Sequence, residues 1–104
     1  MVVDRLQSDY CAEMLRALAE PIRLRIVDLL RNGSKNVSQI ADDLGVEMVI
    51  ASHHLAVLFN AGVVRRVKQG RFVVYGLKEG ILAPKTSANS KDHLDLGCCR
   101  IEMP

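Results

Sequence analysis

Apolar residues recur every three or four positions over most of the first 60 residues, which is the spacing of amphipathic helices. The first helix must end at Pro21, and a second begins there, because proline is favoured at the first position of a helix but breaks its interior. Asn32-Gly33 ends the second helix. Asn36 and Gln39 have the spacing of a capping box and begin a short third helix, which Gly45 closes. The sequence therefore predicts three helices before residue 46.

A fourth helix is predicted over residues 48–60, with Ala51, Leu55 and Leu58 on its inward face. Its outward face consists of small or polar side chains: Val49, Ser52, His53, Ala56 and Asn60. The third and fourth helices, joined by about three residues that include a glycine, have the arrangement of a helix-turn-helix. A recognition helix needs a compact outward face, because large side chains would hold it out of the major groove. An ordinary solvent-exposed face is the competing interpretation.

Two runs of β-branched and aromatic residues, 63–67 and 72–77, follow the fourth helix and predict a β-hairpin. The segment Lys68-Gln69-Gly70-Arg71 is predicted to form its turn, with the glycine at positive φ. Four cations lie on or beside the tip: Arg65, Arg66, Lys68 and Arg71. Such side chains can reach phosphates or a narrow minor groove. The predicted fold is mainly α with a small β-hairpin, a winged helix-turn-helix, with helix 48–60 in the major groove and a wing at 65–75.

The composition fits one small domain, because 104 residues with 49% hydrophobic content can bury a single core. A net charge of +2 indicates neither disorder nor a histone-like protein. We expect a cytoplasmic protein, since no apolar run approaches the roughly 18 to 20 residues of a membrane span and the start lacks a signal peptide. We assign residues 1–80 to the DNA-binding domain and 81–104 to a C-terminal tail. A loop is predicted in this tail from Pro84, Thr86, Ser87, Asn89 and Ser90.

Five short motifs, in this order along the chain, resemble the ArsR/SmtB family. They are ALAEPIRLRI at 17–26, IADDLG at 40–45, SHHLAVL at 52–58, AGVV at 61–64 and GRFVVY at 70–75. The resemblance implies a homodimeric bacterial repressor that releases operator DNA when an inducer, often a metal or metalloid ion, binds. A two-fold dimer presents its recognition helices about one DNA turn apart, so we expect an operator that is an imperfect inverted repeat.

The recognition helix both follows and departs from the pattern that the resemblance implies. Ser52 and His53 match the start of the family's recognition-helix motif, and His53 is expected to contact DNA. Glu47, Met48 and Ile50 stand where the family usually has polar DNA contacts. The operator sequence is therefore left open. His54, about 100° around the helix from its neighbour, is expected to pack partly against the protein.

The resemblance also implies two inducer sites, of which the sequence lacks the first and does not favour the second. The arsenic-type site needs two cysteines in the third helix, where this chain has Asn36 and Ser38. The zinc-type site needs Asp and His ligands on a long C-terminal helix, but residues 81–104 contain one histidine, His93. The tail is nevertheless expected to pack at the dimer interface, as the family's C-terminal segment does with the first helix.

Three cysteines remain as candidate ligands: Cys11, Cys98 and Cys99. Their thiolates would suit a soft inducer, for which arsenite, copper(I), zinc and cadmium are the candidates. Ordinary burial is an equal alternative, because cysteine is among the most buried residue types. Redox sensing through the vicinal pair Cys98-Cys99 is the third. No cofactor is expected to be required for DNA binding.

Two other classes of function compete with a DNA-binding regulator. An enzyme would need Cys98 or Cys99 as its nucleophile, but neither lies in a Cys-x-x-Cys motif and the small chain leaves little room for a substrate pocket. We therefore expect no enzymatic activity. A winged helix that binds protein is the second alternative, since Met48, Val49 and Ile50 would supply an apolar patch. Operator affinity that falls steeply with salt would distinguish DNA binding from protein binding.

Overall fold

The structure is a computed structural model that describes residues 3–83 and 91–104. Four helices form its N-terminal part. They are α1 (Ser8–Leu18), α2 (Pro21–Leu30), α3 (Val37–Leu44) and α4 (Met48–Asn60). Pro21 is the first residue of α2, as predicted. The capping box at α3 is confirmed, because the Asn36 side chain accepts from the Gln39 N–H while the Gln39 side chain accepts from the Asn36 N–H. Gly45 ends α3 with a left-handed φ of 67°.

The wing is an antiparallel hairpin of β2 (Val64–Gln69) and β3 (Phe72–Leu77). A short strand β1 (Lys35–Asn36) pairs with the other edge of β3, so the strand order is β1-β3-β2. The turn is tighter than predicted. Gln69 pairs with Phe72, so Lys68 and Gln69 belong to β2 and only two residues connect the strands. Gly70 supplies the positive φ of 62° that this connection needs.

A second three-stranded sheet follows the wing and is called here the C-terminal sheet. It consists of β4 (Leu82–Ala83), β5 (His93–Asp95) and β6 (Arg100–Glu102), with β5 in the centre. The loop predicted from Pro84, Thr86, Ser87, Asn89 and Ser90 lies outside the described residues. No such strands were expected in the tail, because segments of two or three residues carry no readable periodicity.

One hydrophobic core joins the four helices, the wing and the C-terminal sheet. The inward residues of α4 are completely buried, as predicted, and Ile26 and Ile40 meet them from α2 and α3. Leu94 and Leu96 from the C-terminal segment are buried in the same core. Leu94 and Leu96 therefore extend the core formed by the helices and the wing. Packing of this segment at a dimer interface stays a prediction.

Candidate DNA-binding surface and cysteine cluster

The helix α4, predicted as the recognition helix, is packed on one face and open on the other. Its inward residues Ala51, Leu55 and Leu58 face the other helices and β2. The predicted outward residues are all exposed: Val49, Ser52, His53, Ala56 and Asn60. No acidic residue lies on this face between Met48 and Asn60. The arrangement leaves a narrow ridge of hydroxyl, imidazole, amide and methyl groups that a DNA groove can accommodate.

The first turn of α4 has a different, largely apolar character. Met48, Val49 and Ile50 are exposed, and Val49 is the most open of them with 75% of its surface accessible. Glu47 precedes the helix without a side-chain hydrogen bond to its N-terminus. Apolar side chains can contact the methyl group of thymine in the major groove. The turn therefore offers methyl contacts where the resemblance implied polar ones.

The four cations of the wing do not form one group. Successive residues of a strand point to opposite faces, so Arg65 and Arg66 lie on different sides of the hairpin. The Arg66 guanidinium lies 4.0 Å above the centre of the Phe59 ring, beside the C-terminal end of α4. Arg65 crosses Gly76, where a Cβ atom would come within 3.4 Å of its Nη2. The alternation of side chains along a strand is enough to predict that Arg65 and Arg66 lie on opposite faces. Lys68 and Arg71 are exposed at the tip.

His54 forms a polar contact that sequence reasoning missed. Its side chain is only 13% exposed, in line with the expected partial packing. The Nδ1 atom lies 3.1 Å from Nη1 of Arg23 and 3.8 Å from Oε2 of Glu20. The pKa of Glu20 is lowered chiefly because its carboxylate accepts the Arg23 backbone N–H. Nothing in the local sequence pattern indicates a contact between residues 31 positions apart.

Three cysteines meet at one point, and we call them the cysteine cluster: Cys11 from α1 and Cys98 and Cys99 from the connection between β5 and β6. A disulfide joins Cys11 to Cys98. Cys99 is a free thiol, with its sulfur 3.9 Å from that of Cys98. The redox pair considered from the sequence was Cys98-Cys99, whereas the bond in the structure uses Cys11, which no short-range pattern connects to the tail.

The cluster has the spacing of a soft-metal site. All three sulfur atoms lie within 4.8 Å of one another. Three thiolates that each lie about 2.3 Å from one ion are about 4 Å apart, so small side-chain movements in the reduced protein would bring them into place. While the disulfide is present, two of the three sulfurs cannot act as thiolate ligands. The residues therefore fit a metal ion or metalloid in the reduced state alone.

Comparisons with known proteins agree with this architecture. The family described as bacterial regulatory protein, arsR family, matches residues 20–66, which extend from the start of α2 into the wing. The transcriptional regulator NmtR of Mycobacterium tuberculosis is 40% identical over 88 residues, covering 83% of this chain and 73% of that protein. The transcriptional repressor SmtB of the same species is 43% identical over 75 residues, covering 72% of this chain and 56% of that protein.

Solved structures show the same fold. HlyU of Vibrio cholerae has a TM-score of 0.67 at 29% identity, covering 70% of this chain and 79% of that one. A homodimeric winged helix-turn-helix DNA-binding domain from Mycobacterium bovis, described as a possible ArsR-family regulator, has a TM-score of 0.67 at 33% identity, covering 73% of this chain and 72% of that one.

Among the described residues, no helix is long and apolar enough to cross a membrane. The fold, the order of the sequence motifs and these relatives all indicate the same family. The winged helix-turn-helix expected from the sequence is confirmed. The chain therefore belongs to the ArsR/SmtB family of DNA-binding transcriptional repressors.

Proposed function

We propose that α4 enters the major groove of a duplex operator while the wing lies along the adjacent backbone or minor groove. The observation that carries this proposal is the exposed, acid-free outward face of α4 beside a hairpin with cations at its tip. Ser52, His53 and Asn60 supply hydrogen bonds to base edges or phosphates. Val49 and Ala56 supply methyl contacts and allow the helix to approach closely.

In this proposal the four wing cations differ in how directly they contact the DNA. Lys68 and Arg71, exposed at the tip, contact phosphates. Arg66 also contacts phosphate, and its stacking on Phe59 holds its guanidinium next to the recognition helix. Arg65 points to the other face of the hairpin and adds to the positive field, with a weaker direct contact.

The protein acts as a homodimer in the cytoplasm on an imperfect inverted repeat. The structural relative from Mycobacterium bovis, which is homodimeric, supports the homodimer. A two-fold axis between two copies would place their α4 helices about one DNA turn apart, in successive major grooves. Footprinting should show two protected half-sites, and a single asymmetric half-site would contradict the proposal.

The cysteine cluster receives the inducer. In the reduced protein Cys11, Cys98 and Cys99 bind one soft ion, for which arsenite, copper(I), zinc and cadmium are the candidates. Arsenous acid would exchange its three hydroxyl groups for three cysteine sulfurs, and the three thiol protons would leave with the hydroxyl groups as three water molecules. Oxidation is the alternative input: hydrogen peroxide takes two electrons and two protons from the thiols of Cys11 and Cys98, which form their disulfide, and is reduced to two waters. In a reducing cytoplasm such a bond is regulatory rather than structural.

The DNA-binding proposal is tested by fluorescence anisotropy on a duplex from the protein's own upstream region. If three cations of each protomer contact phosphates, affinity should fall roughly 10³-fold between about 50 and 200 mM salt. Arg71→Ala should weaken binding to every sequence and lower the salt slope by about 1 per lost contact. Ser52→Ala and His53→Ala should change the preference among operator variants instead.

Arg100→Ala is the matched control, because it removes one positive charge from β6, outside α4 and the wing. It should leave both the affinity and the salt slope close to those of the unmodified protein. A flat salt response in the unmodified protein would overturn the DNA-binding assignment and favour protein recognition. Equal effects of Arg71→Ala and Ser52→Ala on all sequences would overturn the division of roles.

The inducer is tested on the reduced protein with arsenite, copper(I), zinc and cadmium added separately. We expect at least one of them to release the operator from the unmodified protein and not from Cys98→Ser/Cys99→Ser. Mild oxidation should release it from the unmodified protein and from Cys99→Ser, which keeps Cys11 and Cys98. Unchanged release from the double variant would exclude the cluster as the sensor.

A further inference from the structure

One guanidinium connects the end of α1 to the recognition helix. The Arg23 Nε donates to the Ala17 carbonyl at 2.6 Å, and Nη2 donates to the Arg16 carbonyl at 3.5 Å. These carbonyls belong to the last turn of α1, and the Arg16 carbonyl also accepts from the Ala19 backbone N–H. Nη1 of the same side chain lies 3.1 Å from Nδ1 of His54 on α4. Arg23 itself belongs to α2, so its side chain joins three helices.

The contact fixes the imidazole of His54. A guanidinium has only donors, so Nδ1 must accept the hydrogen bond and the neutral ring carries its proton on Nε2. The Glu20 carboxylate accepts the Arg23 backbone N–H at 2.9 Å and so fixes the backbone from which the guanidinium extends. His54 lies between the inward face and the outward face of α4. Together with the buried inward face of α4, this contact holds the rotation of the helix about its axis, and with it the direction of Ser52 and His53.

The same helix α1 carries the cysteine cluster at its other end. Cys11 is buried in the first turns of α1, and Ala17 lies about 9 Å further along the axis at about 1.5 Å per residue. Cys11 and Ala17 lie on the same helix, so a movement of α1 that displaced Cys11 would also displace the carbonyls that Arg23 contacts. Within the described residues, Arg23 is the side chain whose hydrogen bonds join that end of α1 to α4.

We propose that Arg23, acting through His54, is the positioning residue that sets the recognition helix and relays the state of the cysteine cluster to it. This inference rests on the proposed function and adds the route by which the cluster changes DNA binding. A side chain that only stabilised the fold would leave sequence discrimination and the response to inducer unchanged once the protein is folded.

The test measures two ratios for each reduced, folded variant. The first is operator affinity over affinity for an unrelated duplex, and the second is operator affinity without and with sodium arsenite. For Arg23→Met the first ratio should fall roughly tenfold, comparable with the loss of one base contact. The second should approach 1, whereas allosteric ratios are commonly about 5 to 150. Thiol titration should show that the variant still binds arsenite.

Three further variants make the result specific. His54→Leu removes the acceptor and should reproduce Arg23→Met, while His54→Gln retains an acceptor and should restore part of both ratios. Arg25→Met is the matched control, because it removes the same charge from an exposed position of α2 and should leave both ratios unchanged. If Arg23→Met fails to fold, His54→Leu supplies the same two ratios.

The outcomes separate this inference from the function on which it rests. Lowered ratios in Arg23→Met and His54→Leu, with normal ratios in Arg25→Met, would support the relay. Normal ratios in the first two variants would overturn it while leaving the DNA-binding proposal intact. If the unmodified protein binds no duplex, the proposed function itself fails. If it binds duplex but its operator affinity does not change with arsenite, the relay is overturned.

Discussion

The helix-turn-helix and the C-terminal sheet are held by different kinds of interaction. The helices α3 and α4 are bounded by contacts between residues close in sequence, such as the capping box of Asn36 and Gln39. The C-terminal sheet has strands of two or three residues and depends on distant partners. Arg31 donates to Asp92 at 2.9 Å, and the disulfide to Cys98 spans 87 positions. The stability of the C-terminal sheet is therefore expected to depend on residues that lie far from it in the sequence.

The strongest test of this contrast is Leu94→Ala in the C-terminal sheet. Leu94 is completely buried at the centre of that sheet and contributes to the core of the whole domain. We expect a loss of about 2 to 5 kcal/mol in the free energy of unfolding, from lost burial and the cavity left behind. Urea denaturation followed by circular dichroism measures it.

Val49→Ala on the exposed face of α4 is the control and should change the free energy of unfolding by less than about 0.5 kcal/mol. Equal costs for the two substitutions would show that the C-terminal sheet is not part of the core.

The second prediction concerns the bond between Cys11 and Cys98. Because it closes a long loop, its reduction should lower the free energy of unfolding by about 2 to 4 kcal/mol, mainly by freeing the unfolded chain. Urea denaturation with and without a phosphine reductant measures the difference. Thiol titration of the unfolded protein should change from one free cysteine to three.

Cys99→Ser keeps the disulfide and should respond to reductant as the unmodified protein does, whereas Cys11→Ser should not respond. Identical stability of the oxidised and reduced protein would mean that the tail is held by its apolar contacts alone.

The two regions also differ in how far the sequence predicts them. Pro21, Asn36 and Gly45 act on their own neighbourhood, so the helix boundaries could be read locally, and the 3.6-residue period identified the buried face of α4. Strand alternation also predicts that Arg65 and Arg66 lie on opposite faces of the hairpin, although both were expected near the DNA. The pairing of Cys11 with Cys98 cannot be predicted from residues close in sequence, because it depends on where the folded chain places the tail.

A smaller loss of stability is expected from Asn36→Ala, which removes a capping hydrogen bond between residues close in sequence. The variant loses the acceptor for the Gln39 N–H at the start of α3, which should cost about 1 kcal/mol in the free energy of unfolding. Asn36→Asp retains an acceptor and is the matched control. Chemical denaturation of the two variants measures the difference, and a cost as large as that of Leu94→Ala would contradict the contrast between local and remote contacts.

The smallest effect concerns the pH dependence of another local cap, that of α2. The pKa of Glu20 is lowered from its ordinary value of 4.5, chiefly because its carboxylate accepts the Arg23 backbone N–H. A lowered folded pKa means that the stabilising contribution is complete above the unfolded value and is lost as pH falls through the folded one.

Glu20→Gln keeps an acceptor for the same N–H but cannot titrate, so it isolates this contribution from the other carboxylates. The stability advantage of the unmodified protein over this variant should be constant near neutral pH and should shrink as pH falls below about 4.5. Urea denaturation of both proteins from neutral to acidic pH measures the change. If the difference between them were independent of pH, the capping carboxylate would not titrate with folding, and the N-terminus of α2 would depend on Pro21 and its packing alone.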